Sequence, residues 1–151
     1  MKLSSSRIVQ RGVTLMELLI VVTIIAIVAS VAYPSYTQFV VRSKRAVAAG
    51  MLMQIADRQQ QFFMDNKRFA GSLTSLGFAN DSVMIDEEGA IVPTADDGRA
   101  YNIQISASNI VTYELTATPQ LKQAQRDTGC GNLTLTHTGQ KGYSGSGGNC
   151  W

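Results

Sequence analysis

With 151 residues, 45 % of them apolar, and a formal charge of +2, the chain has room for one small globular domain beside an apolar N-terminal segment, and not for two. The positive sign belongs to the first twelve residues: without Lys2, Arg7 and Arg11 the rest carries ten Lys plus Arg against eleven Asp plus Glu. Net charge therefore gives no global argument for nucleic acid, and two cysteines with one histidine are too few for a zinc centre.

The basic leader closes at Gly12, and the apolar run Val13 to Ala32 follows with one carboxylate, Glu17, inside its first turns. As a helix rising about 1.5 Å per residue, that run covers roughly 30 Å, the thickness of a bilayer core. A secretory signal peptide competes, because Lys2, Arg7 and Arg11 precede the run and Ser30-Val31-Ala32 offers a small-x-small site. The run exceeds the usual signal core of about 7 to 15 residues, however, and Glu17 stands where such a core is purely apolar. A charge at the centre of a membrane helix costs about 2.5 to 3.5 kcal/mol, less towards the interface, so Glu17 calls for a partner. The bland alternative is a carboxylate that reaches the headgroups and does nothing further. Charge alone leaves orientation open, since Arg42, Lys44 and Arg45 beyond the run match the leader's three cations.

Helical periodicity continues past the apolar run. Val41, Ala48, Leu52, Ile55, Phe62 and Phe63 recur on one face, with Lys44, Arg45, Asp57, Arg58 and Gln59-Gln60-Gln61 on the rest. One helix from about Val13 to Asp65 is predicted, about 80 Å long, whose first half projects as a stalk. Pro34 lacks a donor for the Ser30 carbonyl, which predicts a kink or loosened turn around Ser30 to Tyr33, and Gly50 is a second soft point.

Next, Phe69, Leu73, Leu76 and Phe78 are expected to pack the connection onto the domain. Residues 79–98 carry Asp81, Asp86, Glu87, Glu88, Asp96 and Asp97 with no Lys or Arg, a solvated acidic loop whose spacing matches no calcium-binding EF-hand. The pattern then turns to alternation: Tyr101, Ile103 and Ile105; Tyr113, Leu115 and Ala117; Leu133 and Leu135. Three strands follow, the first two joined as a hairpin through Ser106 to Asn109, the second ended by Pro119. A longer loop leads to Cys130, and a weak fourth strand lies near Lys141 to Ser144. The expected architecture is α+β: a long N-terminal helix, membrane-spanning in its first half, with its C-terminal half packed on an antiparallel sheet of three to four strands.

Cys130 and Cys150 flank a Gly- and Ser-rich stretch and are read as a disulfide, which places this part of the chain in an oxidising compartment. No cofactor, metal or enzymatic activity is expected. His137 has no sequence-adjacent partner, and no Gly-x-Ser-x-Gly supports a Ser-His-Asp site. Phe62-Phe63 and Trp151 are read as core, while Lys122, Arg126 and Lys141 are a weak basic patch for DNA.

The leader ending in Gly12, then Val13-Thr14-Leu15-Met16-Glu17 and the apolar helix with Pro34, resembles the class III signal of type IV pilins and pseudopilins. The segment Tyr113 to Pro119, Arg126-Asp127, Cys130 to Leu135, the Gly-rich loop and Cys150-Trp151 is similar to minor type IV pilins of the PilE kind. Val13 departs from the Phe usual there. The resemblance implies a leader of residues 1–12 removed by a prepilin peptidase between Gly12 and Val13, with methylation of the new amino terminus. It also implies a transmembrane and filament-core helix over 13–35 and a periplasmic domain over 36–151. Glu17 would pair with the amino terminus of a neighbouring subunit. The implied partners are other pilin subunits, the peptidase, the inner-membrane pilus assembly machinery and membrane lipid. The protein would sit in the bacterial inner membrane and then in a surface pilus serving twitching motility, adhesion or DNA uptake. The alternatives are a type II secretion pseudopilin and a pilus-tip DNA-binding or adhesive subunit.

Overall fold

The computed structural model describes residues 13–151, so the leader, Arg11 and Gly12 lie outside the described residues. Helix α1 (Leu15–Asn66) runs through both the apolar and the amphipathic stretches. Its start is set by Thr14, whose hydroxyl accepts the Glu17 N–H at 3.2 Å while its carbonyl accepts the Leu18 N–H. Thr14 and Glu17 thus hold the spacing of a capping box, a start signal readable in the sequence. The helix continues unbroken through Ser30 to Tyr33 and Pro34, so one missing donor does not end it. It ends where Lys67 turns to φ 55°, its N–H on the Phe63 carbonyl.

The chain divides into two compact units after Gln38, three residues beyond the boundary read from the sequence. In the first, every described apolar side chain from Val13 to Val31 is exposed.

In the second unit, Phe39–Trp151, α1 buries Val41, Ala48, Leu52, Ile55 and, in line with them, Gln59. Periodicity puts Gln59 on the outer face; instead its amide accepts the Ala70 N–H at 2.8 Å and donates to the Ala70 carbonyl at 2.9 Å. The side chain acts as a piece of backbone, satisfying a buried turn that would otherwise hold two orphan groups. Gln59→Ala is expected to cost about 2 to 3 kcal/mol through those two groups, read as a lower urea midpoint at unchanged m-value.

The sheet has six antiparallel strands in the order β2-β1-β3-β4-β5-β6, two or three more than expected. These are β1 (Ser82–Ile85), β2 (Ile91–Val92), β3 (Tyr101–Ser108), β4 (Tyr113–Pro119), β5 (Leu133–Thr136) and β6 (Lys141–Tyr143). The first two fall in the stretch read as a solvated acidic loop. Val83, Met84 and Ile85 are buried there, while the acids occupy the turns. The Asp86 carboxylate accepts the Glu88 and Ala90 N–H groups at 2.9 Å each, closing the β1–β2 turn. Acid count had hidden a short apolar run between them.

The β3–β4 turn lies at Asn109 to Thr112, not at Ser106 to Asn109. The Asn109 side chain accepts the Val111 and Thr112 N–H groups, and Ser106 sits at an irregularity between Ile105 and Ala107. Pro119 ends β4, and a short helix, α2 (Leu121–Arg126), replaces part of the expected loop. One core joins Leu52 and Ile55 of α1 to Leu73, Ile85, Ile103, Leu115 and Leu133. Leu76 and Phe78 join it, with Phe69 packed on its edge, as the connection was expected to do.

Candidate functional site

Two regions carry the sequence-predicted sites. In the first unit Val13 is 65 % exposed and Glu17 lies in the opening turn of α1. A carboxylate there is favoured by the N-terminal end of the helix dipole, by about 0.3 to 1 kcal/mol. Among the described residues the Glu17 side chain makes no ion pair. Of the expected processing pair, Val13 is described and Gly12 is not.

In the second unit the region after β4 is built on polar bonds. Leu121 opens α2 at φ 46°, a left-handed conformation costing a residue with a side chain about 1 to 2 kcal/mol, and Gln120 gives no side-chain cap. Across 120–129 only Gln123 and Asp127 are buried. The Arg45 guanidinium grips Asp127 with two groups, Nε to Oδ2 at 3.0 Å and Nη2 to Oδ1. Their side chains are 12 % and 1 % exposed. Tyr101 donates its hydroxyl to Asp127 Oδ2 at 2.8 Å. The Gln123 amide donates to the same oxygen, to the Tyr101 hydroxyl and to the Val41 carbonyl. One carboxylate thus ties α1, β3 and α2 together. Sequence reading noted Arg126-Asp127 only as part of a resemblance and missed the cluster, because its members lie up to 82 residues apart. Arg45 on the flank of an apolar helical stripe was the one available signal.

Burial raises the Tyr101 phenol well above its ordinary 10.0, and its hydrogen bond to Asp127 acts in the same direction. The Asp127 hydrogen bond likewise raises Arg45. The folded chain keeps the Tyr101 proton where the unfolded chain releases it. That contribution is therefore whole below pH 10.0 and is lost as pH rises from there towards the folded value. Taken from about pH 9 to about pH 11, the parent is expected to lose more unfolding free energy than Tyr101→Phe, measured by urea titration.

Beyond Asp127 its carbonyl accepts the Cys130 and Gly131 N–H groups, leading into the disulfide Cys130–Cys150, Cα atoms 5.5 Å apart. Closing this loop contributes about 3 kcal/mol in a chain-entropy account. The Gly-rich stretch lies against 129–132: Gly145 N–H bonds the Cys130 carbonyl at 2.9 Å and Gly147 N–H the Gly129 carbonyl at 2.7 Å. A Cβ on Gly145 would fall 2.1 Å from the Gly129 oxygen, so only glycine fits.

Lys122 and Arg126 stand exposed on α2, while Lys141 belongs to β6 with its ammonium 5.1 Å from the Trp151 ring centroid. Trp151 donates to the Gly142 carbonyl at 2.8 Å and packs on the core, as does Phe62. His137 sits against Phe69 and Tyr113, ring centroids 6.3 Å away, in an aromatic cluster.

Residues 34–134 match a family described as type IV minor pilin ComP, DNA uptake sequence receptor, and residues 7–33 match the prokaryotic N-terminal methylation motif. The type IV major pilin protein PilA of Myxococcus xanthus strain DK1622 is 38 % identical over 69 residues. That match covers 46 % of this chain and 31 % of the relative's length. A solved type IV pilin from Shewanella oneidensis aligns with 74 % of this chain and 97 % of its own at 20 % identity, TM-score 0.47.

Proposed function

This chain belongs to the type IV minor pilin family whose description names ComP, and from that membership we propose that it is a minor subunit of a type IV pilus. The observation that carries the reading is the continuity of two matches, a methylation motif over residues 7–33 and the minor-pilin family over 34–134. On this reading a prepilin peptidase cuts between Gly12 and Val13 and the new terminus is methylated. The helix from Val13 first holds the subunit in the inner membrane, with residues 36–151 in the periplasm, and then packs among other pilins in the fibre. The assembly machinery of the inner membrane would be its other partner. Glu17 serves assembly by pairing with a neighbour's amino terminus.

The family's description adds a finer proposal, that the subunit captures DNA for uptake. Exposed Lys122 and Arg126 support it, since each Lys or Arg on a phosphate contributes close to 0.9 to the slope of log affinity against log salt. The test is a chromosomal deletion scored separately for surface pili, secreted enzymes and DNA uptake. Loss of uptake or of pili with intact secretion is the expected result; loss of secretion with intact pili makes the chain a pseudopilin. The mature amino terminus, read by mass spectrometry of the purified protein, should be Val13, and any other start defeats the processing step.

A further inference from the structure

Helix α2 is an element that cannot hold itself. Six residues fall well short of an independently stable helix, its first residue is in a left-handed conformation, and Ala124 and Gln125 lie exposed. What fastens it is the pair Gln123 and Asp127, one turn apart on a single face, each buried and each bonded to groups outside α2. Gln123 reaches the Val41 carbonyl on α1, and Asp127 takes Arg45 of α1 and Tyr101 of β3. Each of the two exposed cations, Lys122 and Arg126, precedes a member of that pair by one residue, about 100° round the helix. Among the described residues neither cation forms a salt bridge.

We infer that Gln123 and Asp127 are positioning residues: their buried side chains lock α2 onto α1 and β3, and so present Lys122 and Arg126 as a fixed cationic pair to the phosphodiester backbone of DNA. The ligand rests on the DNA-capture reading above; the lock rests on the buried bonds alone. An unfastened α2 would leave both charges in place but scattered, and two ordered contacts would become a diffuse attraction.

The experiment uses the full chain in detergent micelles, with amide hydrogen exchange on one side and titration with a short labelled DNA duplex at several salt concentrations on the other. Asp127→Asn is expected to speed exchange in 121–126 roughly tenfold while β4 keeps its protection. General destabilisation would instead raise both together. The same variant should lower the salt slope by about 1 to 2, as should the double substitution Lys122→Ala with Arg126→Ala. Gln123→Met, which removes the amide bonds and leaves the Arg45–Asp127 pair, should show the same behaviour and serves if Asp127→Asn does not fold. Unchanged exchange in 121–126 in a folded variant overturns the lock, and faster exchange with the parental salt slope overturns the positioning role. A parent that binds no duplex, or a double variant with the parental slope, overturns the DNA role of the pair and is distinguished from the first failure by the exchange data.

Discussion

Glu17→Ala is expected to be cleaved before Val13 and to stay in the membrane, yet to be depleted about 100-fold or more from sheared pili. The reason lies in what the substitution leaves behind. Alanine is at home in an apolar helix and keeps the backbone N–H that the Thr14 hydroxyl accepts, so the monomer in lipid loses only the small dipole benefit at the start of α1. On the charge-pairing reading, in a fibre built from packed apolar helices the neighbouring amino terminus that Glu17 would neutralise becomes a buried, unpaired charge. Breaking such a pair by removing one partner costs about 3 to 5 kcal/mol, and each 1.4 kcal/mol is a factor of ten. Glu17→Gln separates charge from shape: it keeps hydrogen-bonding capacity but not the charge, and should fall between parent and alanine. Immunoblots of the membrane and sheared fractions measure the ratio. If Glu17 only reaches the headgroups, the alanine variant will appear in pili at the parental ratio, and charge pairing is then wrong.

The parts of this fold that periodicity governs could be read from the residues, and the parts governed by single polar side chains could not. The helix was visible because a mostly apolar run from Val13 to Ala32 and then a stripe at 41, 48, 52 and 55 leave little else for the chain to do. The alternating runs in β3, β4 and β5 were equally plain. Three misreadings share one cause, polarity taken for exposure. Gln59 looked like a solvent-facing glutamine because its two partners belong to one turn eleven residues on. β1 and β2 looked like acidic loop because Asp81, Asp86, Glu87 and Glu88 crowd both ends of a short apolar run, Ser82–Ile85. Ser106 and Ser108 looked like a turn because serine usually is one, whereas here an irregularity near Ser106 carries β3 on to the Asn109 turn. In the candidate site, Val13, Glu17 and the cysteines could be singled out by type and spacing. The cluster around Asp127 could not, since it exists only once α1, β3 and α2 meet.

That cluster supplies the largest stability effect expected in the second unit. Arg45→Met should destabilise the chain by about 3 to 5 kcal/mol, because it strips the cation from a carboxylate that is 1 % exposed and cannot turn to water. Asp127→Asn should cost less, since an amide oxygen still accepts from Tyr101 and Gln123, and Arg45, at 12 % exposed, lies nearer solvent. The order of the two single variants therefore follows from which partner is buried deeper, not from the strength of their mutual attraction. Joining Arg45→Met with Asp127→Leu removes both charges and should recover part of the loss, as apolar replacement of a buried pair often does. Recovery will be incomplete here, because the Tyr101 hydroxyl and the Gln123 amide lose an acceptor, each at about 1 to 3 kcal/mol unless another is found. Urea unfolding of the parent, Arg45→Met, Asp127→Leu and their combination forms a double-mutant cycle, with Asp127→Asn measured beside it. A cost for Arg45→Met equal to or below that of Asp127→Asn would mean that solvent reaches Asp127, and the carboxylate would then be an exposed surface group with no claim to hold α2 in place.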